Sequence, residues 1–180
     1  KQSAQMTYKG YTGYMPMVGH LAENGLIVGD EFREGNESPG AGNLAFIKYC
    51  KRQLPQGKRI QALRSDSAGY QASVINYCEE NRIEFAIGAD LDEAVVRAIQ
   101  AIGGQEWRAY QNGHIAETVH CMKKTKLAFR LVVIRRPVQG DLFGGAPATE
   151  RYSACSKNST PFTAWSSTSG SASPCGRSTK

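Results

Sequence analysis

Two hydrophobic periodicities alternate between residues 13 and 136, and this alternation constrains the fold more than any other feature. From Asp90 to Ile102, apolar residues lie three and four positions apart, as on the buried face of an α-helix, and Asp90 with Glu93 is typical of a helix start. Residues 83–88 instead alternate apolar and polar side chains, as a half-buried strand does. Repeated changes of this kind predict an α/β domain with a mixed sheet flanked by helices.

The other segments extend this order, and the tail departs from it. The predicted strands are 13–21, 25–32, 59–64, 83–88, 114–120 and 126–136, and the predicted helices are 43–54, 70–81 and 90–102. Glycine and proline in residues 137–150 predict a linker or loop. Residues 151–180 hold nine serines against five in the first 150 residues, and they predict a disordered Ser/Thr-rich tail. Residues 1–136 would then form one domain.

Composition excludes some classes of protein. A length of 180 residues with 41% hydrophobic content is enough for a packed core. The longest apolar run, Leu131 to Ile134, is far shorter than the roughly 20 residues that cross a bilayer, so no membrane partner is expected. The five cysteines show no metal-ligand spacing and indicate neither zinc nor a disulfide framework, which favours the cytoplasm. The net charge is +6, but residues 151–180 supply +4 of it.

Asp66 stands in the stretch QALRSDSAGYQAS, where a predicted strand ends and a helix begins. One interpretation is a helix cap, because a carboxylate there accepts hydrogen bonds from free N–H groups. The other is a metal ligand, because ligands collect at the carboxyl ends of sheet strands. Asp30 is interpreted as a polar residue at a strand end, and Asp90 and Asp92 as acids that favour the helix start.

A run of cations without any acid lies between Cys121 and Pro137. Its members are Lys123, Lys124, Lys126, Arg130, Arg135 and Arg136. They form either a solvated strand face and turn, or a rim that contacts phosphates and so binds DNA without reading its sequence.

Four blocks occur in an order and spacing that resemble a known family. They are YKGYTGYMPMVGHL, DEFREGN, LRSDSAGY and YCEENRIEFAIG. Over roughly residues 7 to 152 the chain is similar to the central part of the DDE transposases of bacterial insertion sequences. The resemblance implies a ribonuclease H-like fold. It also implies a site of two Asp and one Glu that binds two Mg²⁺ or Mn²⁺ ions for DNA cleavage and strand transfer.

Only one residue of that triad is matched here. Asp66 in LRSDSAGY corresponds to the second Asp, which implies a catalytic and metal-binding role. The first Asp of the family precedes the YKGY block, where this chain has no acid, and residues 151–180 contain no candidate for the Glu. The resemblance therefore implies a truncated or frameshifted fragment that is inactive alone and whose partners are DNA at insertion-sequence ends and an intact transposase.

Two alternative functions remain. In the first, the chain is a non-catalytic remnant that binds DNA through the run from Lys123 to Arg136. Alternatively, it is a metal-dependent nuclease of similar fold that combines Asp66 with Asp30 and a further acid.

Overall fold

The computed structural model describes residues 4–137 and 150–157, and this part of the chain is a mixed α/β protein with three α-helices and three sheets. The strands are β1 Gln5–Met6, β2 Thr12–Gly13, β3 Met17–His20, β4 Ile27–Glu31, β5 Ala62–Ser65, β6 Glu84–Gly88, β7 Arg108–Tyr110, β8 Gly113–His120, β9 Phe129–Pro137 and β10 Glu150–Lys157. The helices are α1 Asn43–Gln53, α2 Ala72–Glu80 and α3 Glu93–Gln100, with short 3-10 turns at Ser67–Gly69 and Gly104–Glu106.

The chain divides into two compact units, one up to residue 61 and one from residue 62 onward. In the first unit β3 and β4 form an antiparallel pair, and α1 packs on β4. Gly19 and Gly29 lie opposite each other in this pair. A Cβ atom on Gly19 would lie 2.7 Å from Cys50 Sγ, and one on Gly29 would lie 2.7 Å from Tyr49 Cε1. The two glycines therefore allow the helix to approach the strands closely.

Arg33 is a buried cation of the first unit. Its Nε donates a hydrogen bond to the Met15 carbonyl at 2.9 Å, and its Nη1 donates to the Ala41 carbonyl at 2.8 Å. A buried charge must be hydrogen-bonded to be tolerated, and backbone carbonyls satisfy this one. The side chain thereby ties the end of the glycine-rich loop before α1 to the segment before β3.

The second unit is built on a six-stranded sheet with the order β5-β6-β10-β9-β8-β7. β5 and β6 are parallel, and every other neighbouring pair is antiparallel, so the prediction of a mixed sheet is confirmed. Alternate residues of β6 and β9 face the core and are buried: Phe85, Ile87, Phe129, Leu131 and Val133. Helix α2 packs on β6, and α3 packs on β8.

The start of α3 corrects one sequence prediction. The cap is Asp92, whose Oδ1 accepts a hydrogen bond from the Val95 N–H at 2.8 Å, whereas Asp90 lies two residues before the cap. Val95 and Ile99 are buried, as the helical spacing predicted.

The carboxyl-terminal predictions fall partly outside the described residues. Residues 151–157, which were predicted to belong to the disordered tail, form part of β10, while residues 138–149 and 158–180 lie outside the described part of the chain.

Cys50 and Cys78 are free thiols, but Cys121 is disulfide-bonded, contrary to the expectation from the cysteine spacing. Within residues 4–137 and 150–157, no helix is long and apolar enough to cross a membrane.

Replacing Gly113 by alanine should destabilise the second unit. A Cβ atom at this position would lie 2.2 Å from the backbone oxygen of Arg135 in the paired strand, so β8 and β9 would have to move apart. We expect Gly113→Ala to lower the free energy of unfolding by about 1–3 kcal/mol in urea denaturation. The matched control is Gly104→Ala, because nothing lies within 4 Å of its added Cβ. Equal unfolding midpoints for both variants would contradict this close approach.

Candidate functional site

Asp66 follows directly after β5 and is exposed. Its Oδ1 accepts a hydrogen bond from the Ala68 N–H at 3.1 Å, so it caps the 3-10 turn at Ser67–Gly69. β5 lies parallel to β6, with Ser65 opposite Ile87. The two interpretations of Asp66 are therefore compatible, because it is a cap and also stands at the carboxyl end of a strand in a parallel pair.

Asp90 follows two residues after the end of the neighbouring strand, because β6 ends at Gly88. A Cβ atom on Gly88 would lie 3.2 Å from the Ser67 nitrogen, so the segments that follow β5 and β6 are in close contact. Both acids thus belong to one edge of the sheet. The local pattern around Asp90 indicates only a helix start, because the parallel pairing of the two strands cannot be read from local periodicity.

The strand directions divide the predicted basic run between two edges. β9 runs in the same direction as β5 and β6, because it is antiparallel to β10, which is antiparallel to β6. We call the edge at which β5, β6 and β9 end the carboxyl edge, and the opposite one the amino edge. Arg135 and Arg136 lie at the carboxyl edge on the part of β9 that extends beyond β6. The register through Cys155 places Val132 level with Gly88, so the two arginines stand three and four residues past the level at which β6 ends. The connection from β8 to β9 lies at the amino edge, and about 20 Å of strand separates Arg130 from Arg136.

Several cations of the run have protein partners. Lys126 pairs with Glu80, Arg130 pairs with Glu117, the Arg135 guanidinium carbon lies 4.4 Å from the Trp107 ring centroid, and Arg136 Nη2 lies 3.4 Å from Gln111 Oε1. Lys123 and Lys124 are exposed and form no ion pair within the described residues. The run is therefore not one continuous rim, and its formal charge overstates the charge that it offers to a ligand.

An open surface pocket of about 300 Å³ lies at the carboxyl edge beside the turn from β7 to β8. It is lined by Gln111, Asn112, Gly113, His114, Arg135 and Pro137. A guanidinium, an imidazole and two side-chain amides supply hydrogen-bond donors of the kind that bind phosphate. Sequence reasoning identified Arg135 but missed the amides, since an isolated Gln-Asn turn carries no motif.

Two buried polar side chains, Tyr70 and His120, pack around Phe129, the first residue of β9. The Tyr70 ring packs edge-on against Phe129, and its hydroxyl has no hydrogen-bond partner within residues 4–137. Burial raises the pKa of Tyr70, and the nearby charges of Asp92 and Asp90 raise this pKa further. His120 also packs edge-on against Phe129. Burial lowers the pKa of His120, and the charge of Asp92 opposes this effect.

The described residues do not fit a site for two metal ions. Within residues 4–137 and 150–157, no group of three or more His, Cys, Asp or Glu side chains is placed to hold a metal ion. Asp30 is an exposed residue of β4 in the first unit, and its predicted partnership with Asp66 stays a prediction.

A comparison with models of known protein families finds no match for this chain. A comparison with curated proteins finds no significant match. The resemblance to the DDE transposases therefore rests on the four sequence blocks.

The stability of the second unit should fall with acidification because of His120. Its pKa in the folded chain lies below the ordinary value of 6.5, so the unfolded chain binds the proton more readily. The neutral imidazole contributes stability above pH 6.5, and this contribution is lost as the pH falls below that value. We expect the difference in unfolding free energy between pH 7.5 and pH 5 to be smaller for His120→Gln than for the unmodified chain. An unchanged difference in urea titrations would show that His120 does not cause the effect.

Proposed function

We propose that this chain is part of a DDE transposase of the bacterial insertion-sequence kind, with a ribonuclease H-like catalytic domain that acts on DNA. The observation that carries the proposal is the position of Asp66 at the carboxyl end of β5, exposed and beside the parallel strand β6. This is the part of an α/β sheet at which ligands bind. It is also the residue that the LRSDSAGY block matches to a catalytic Asp of the family.

The sheet supports the fold part of this proposal. A parallel pair, β5 and β6, adjoins antiparallel strands in one mixed sheet, with α2 connecting the parallel pair. Asp66 lies at the start of the segment that leads into that helix.

We further propose that this chain does not cleave DNA by itself. Mg²⁺ keeps its water ligands unless several oxygen ligands are preorganised around it. Asp66 offers one carboxylate, and its Oδ1 already accepts a hydrogen bond from Ala68. Asp90 follows the end of the neighbouring strand β6, and the described residues contain no group of three possible ligands.

A non-catalytic role in DNA binding is the second candidate, and the carboxyl edge favours it. Arg136 is exposed there, and Arg135 lines the pocket with His114 and two amides. Bound at this edge, the chain would compete with an intact transposase for the same DNA.

Incubation with supercoiled plasmid tests the catalytic part. We expect no nicking above background with Mg²⁺ or Mn²⁺, and the same result for Asp66→Asn, because residues 4–137 and 150–157 bring too few carboxylates together to hold two ions. Metal-dependent nicking that Asp66→Asn abolishes would contradict this expectation. It would favour the metal-dependent nuclease that combines Asp66 with acids such as Asp30.

Binding to duplex DNA at rising salt tests the contact at the carboxyl edge. If both arginines contact phosphates, the double variant Arg135→Gln/Arg136→Gln should reduce the slope of log K against log[salt] by about 1.8, or about 0.9 per contact. Arg136→Gln alone should reduce it by about half as much. The control Lys58→Gln/Arg59→Gln removes the same charge from two exposed neighbours in the first unit. A slope that changes equally in both double variants would show that only net charge matters.

A further inference from the structure

The connection between β8 and β9 contains a tight turn that presents two lysines at the amino edge. The Thr125 N–H donates to the Met122 carbonyl at 3.0 Å, and Thr125 Oγ1 donates to the same carbonyl at 2.9 Å. Thr125 is 6% exposed and forms the inner side of the turn. Lys123 and Lys124 occupy the two central positions and are exposed.

Helix α2 holds this turn in place through one side chain. Asn76 Nδ2 donates to the Lys124 carbonyl at 3.0 Å, and Asn76 Oδ1 accepts from the Lys126 N–H at 2.9 Å. One amide therefore satisfies a backbone acceptor and a backbone donor of the turn.

An ion pair adds a second attachment on the same helix face. Glu80 lies four residues after Asn76, so the two side chains lie on one face of α2, and Glu80 pairs with Lys126. Glu80 thereby balances the charge of Lys126 and leaves two adjacent ammonium groups, those of Lys123 and Lys124, at the tip.

We propose that this turn, with Lys123 and Lys124 as ligands and Asn76 as the positioning residue, is a second phosphate-binding element for duplex DNA. Lysine ammonium groups are typical contacts to DNA phosphates, and a turn fixed before binding loses little conformational freedom in the complex. The element lies at the amino edge before Phe129, which is itself about 24 Å along β9 from Arg136. It goes beyond the proposed function, since it requires neither Asp66 nor the arginines of the carboxyl edge.

Fluorescence anisotropy with a labelled duplex, titrated between about 50 and 200 mM salt, tests the two ligands. Lys123→Gln/Lys124→Gln should reduce the salt slope by about 1.8 and weaken binding roughly tenfold or more at the lowest salt. The control is again Lys58→Gln/Arg59→Gln, with the same loss of charge. An equal effect of the two double variants, or no effect of the lysine variant, would overturn the proposal.

A second pair of variants separates positioning from stability. Asn76→Ala keeps every charge but releases the turn, so we expect weaker DNA binding. Asn81→Ala, at the end of the same helix, removes a side-chain hydrogen bond to the Tyr77 carbonyl at 2.8 Å and does not touch the turn. Both changes should lower the urea midpoint, but only Asn76→Ala should weaken binding. Equal binding by the two variants would overturn the role of Asn76.

The outcomes distinguish this element from the carboxyl edge. Loss of binding in the arginine variant but not in the lysine variant would overturn the second element and leave the first. The reverse would support the second element and count against DNA contact at the carboxyl edge. No binding by the unmodified chain at low salt would overturn both.

Discussion

The packing of aromatic rings around Phe129 is the interaction on which the second unit depends. This side chain of β9 meets Tyr70, Phe85 and His120 at centroid distances of 6.2, 6.5 and 5.6 Å, each near an edge-on geometry. Such contacts stabilise a core beyond the area that they bury. Tyr70 lies four residues after Asp66, so the contact with Phe129 also fixes the segment that carries the candidate catalytic residue against the sheet.

Strand direction then decides which charges share an edge. β9 lies two strands from β6 and runs parallel to it, with β10 between them. This arrangement directs the end of β9, with Arg135 and Arg136, to the side of the sheet at which β6 ends, although three and four residues past the level of Gly88. Lys123 and Lys124 remain at the opposite edge. One continuous basic run in the sequence thus becomes two separate surfaces, and a single description as a DNA-binding rim does not fit both.

The sequence predicted the individual helices and the strand β6 well, but it did not predict how the strands pair in the sheet. Helices α1, α2 and α3 and the strand β6 follow from spacing within one segment, and they are confirmed with ends shifted by up to three residues. The parallel pairing of β5 with β6 depends on contacts between residues 22 positions apart, such as Ala62 and Glu84, which local periodicity does not contain. The cap of α3 was assigned to Asp90 rather than Asp92 for a related reason. Asp90 has Glu93 three positions later, as the helix-start pattern requires, whereas the cap Asp92 has Val95 at that spacing, so the pattern indicated the wrong aspartate.

The charged residues of the candidate site show the same limit, because local sequence does not predict their tertiary partners. Lys126 forms an ion pair with Glu80 on α2, whereas Lys124, two positions away, forms no ion pair within the described residues. Arg130 likewise pairs with Glu117 of β8, and the Arg135 guanidinium lies over the ring of Trp107, which directly precedes β7. Residue type and spacing predicted the same DNA-contacting role for all of these cations, whereas their tertiary neighbours give them different side-chain partners. Tertiary neighbours therefore decide which cations remain available to a ligand, and in the β8–β9 turn the cations without an ion pair among the described residues are Lys123 and Lys124.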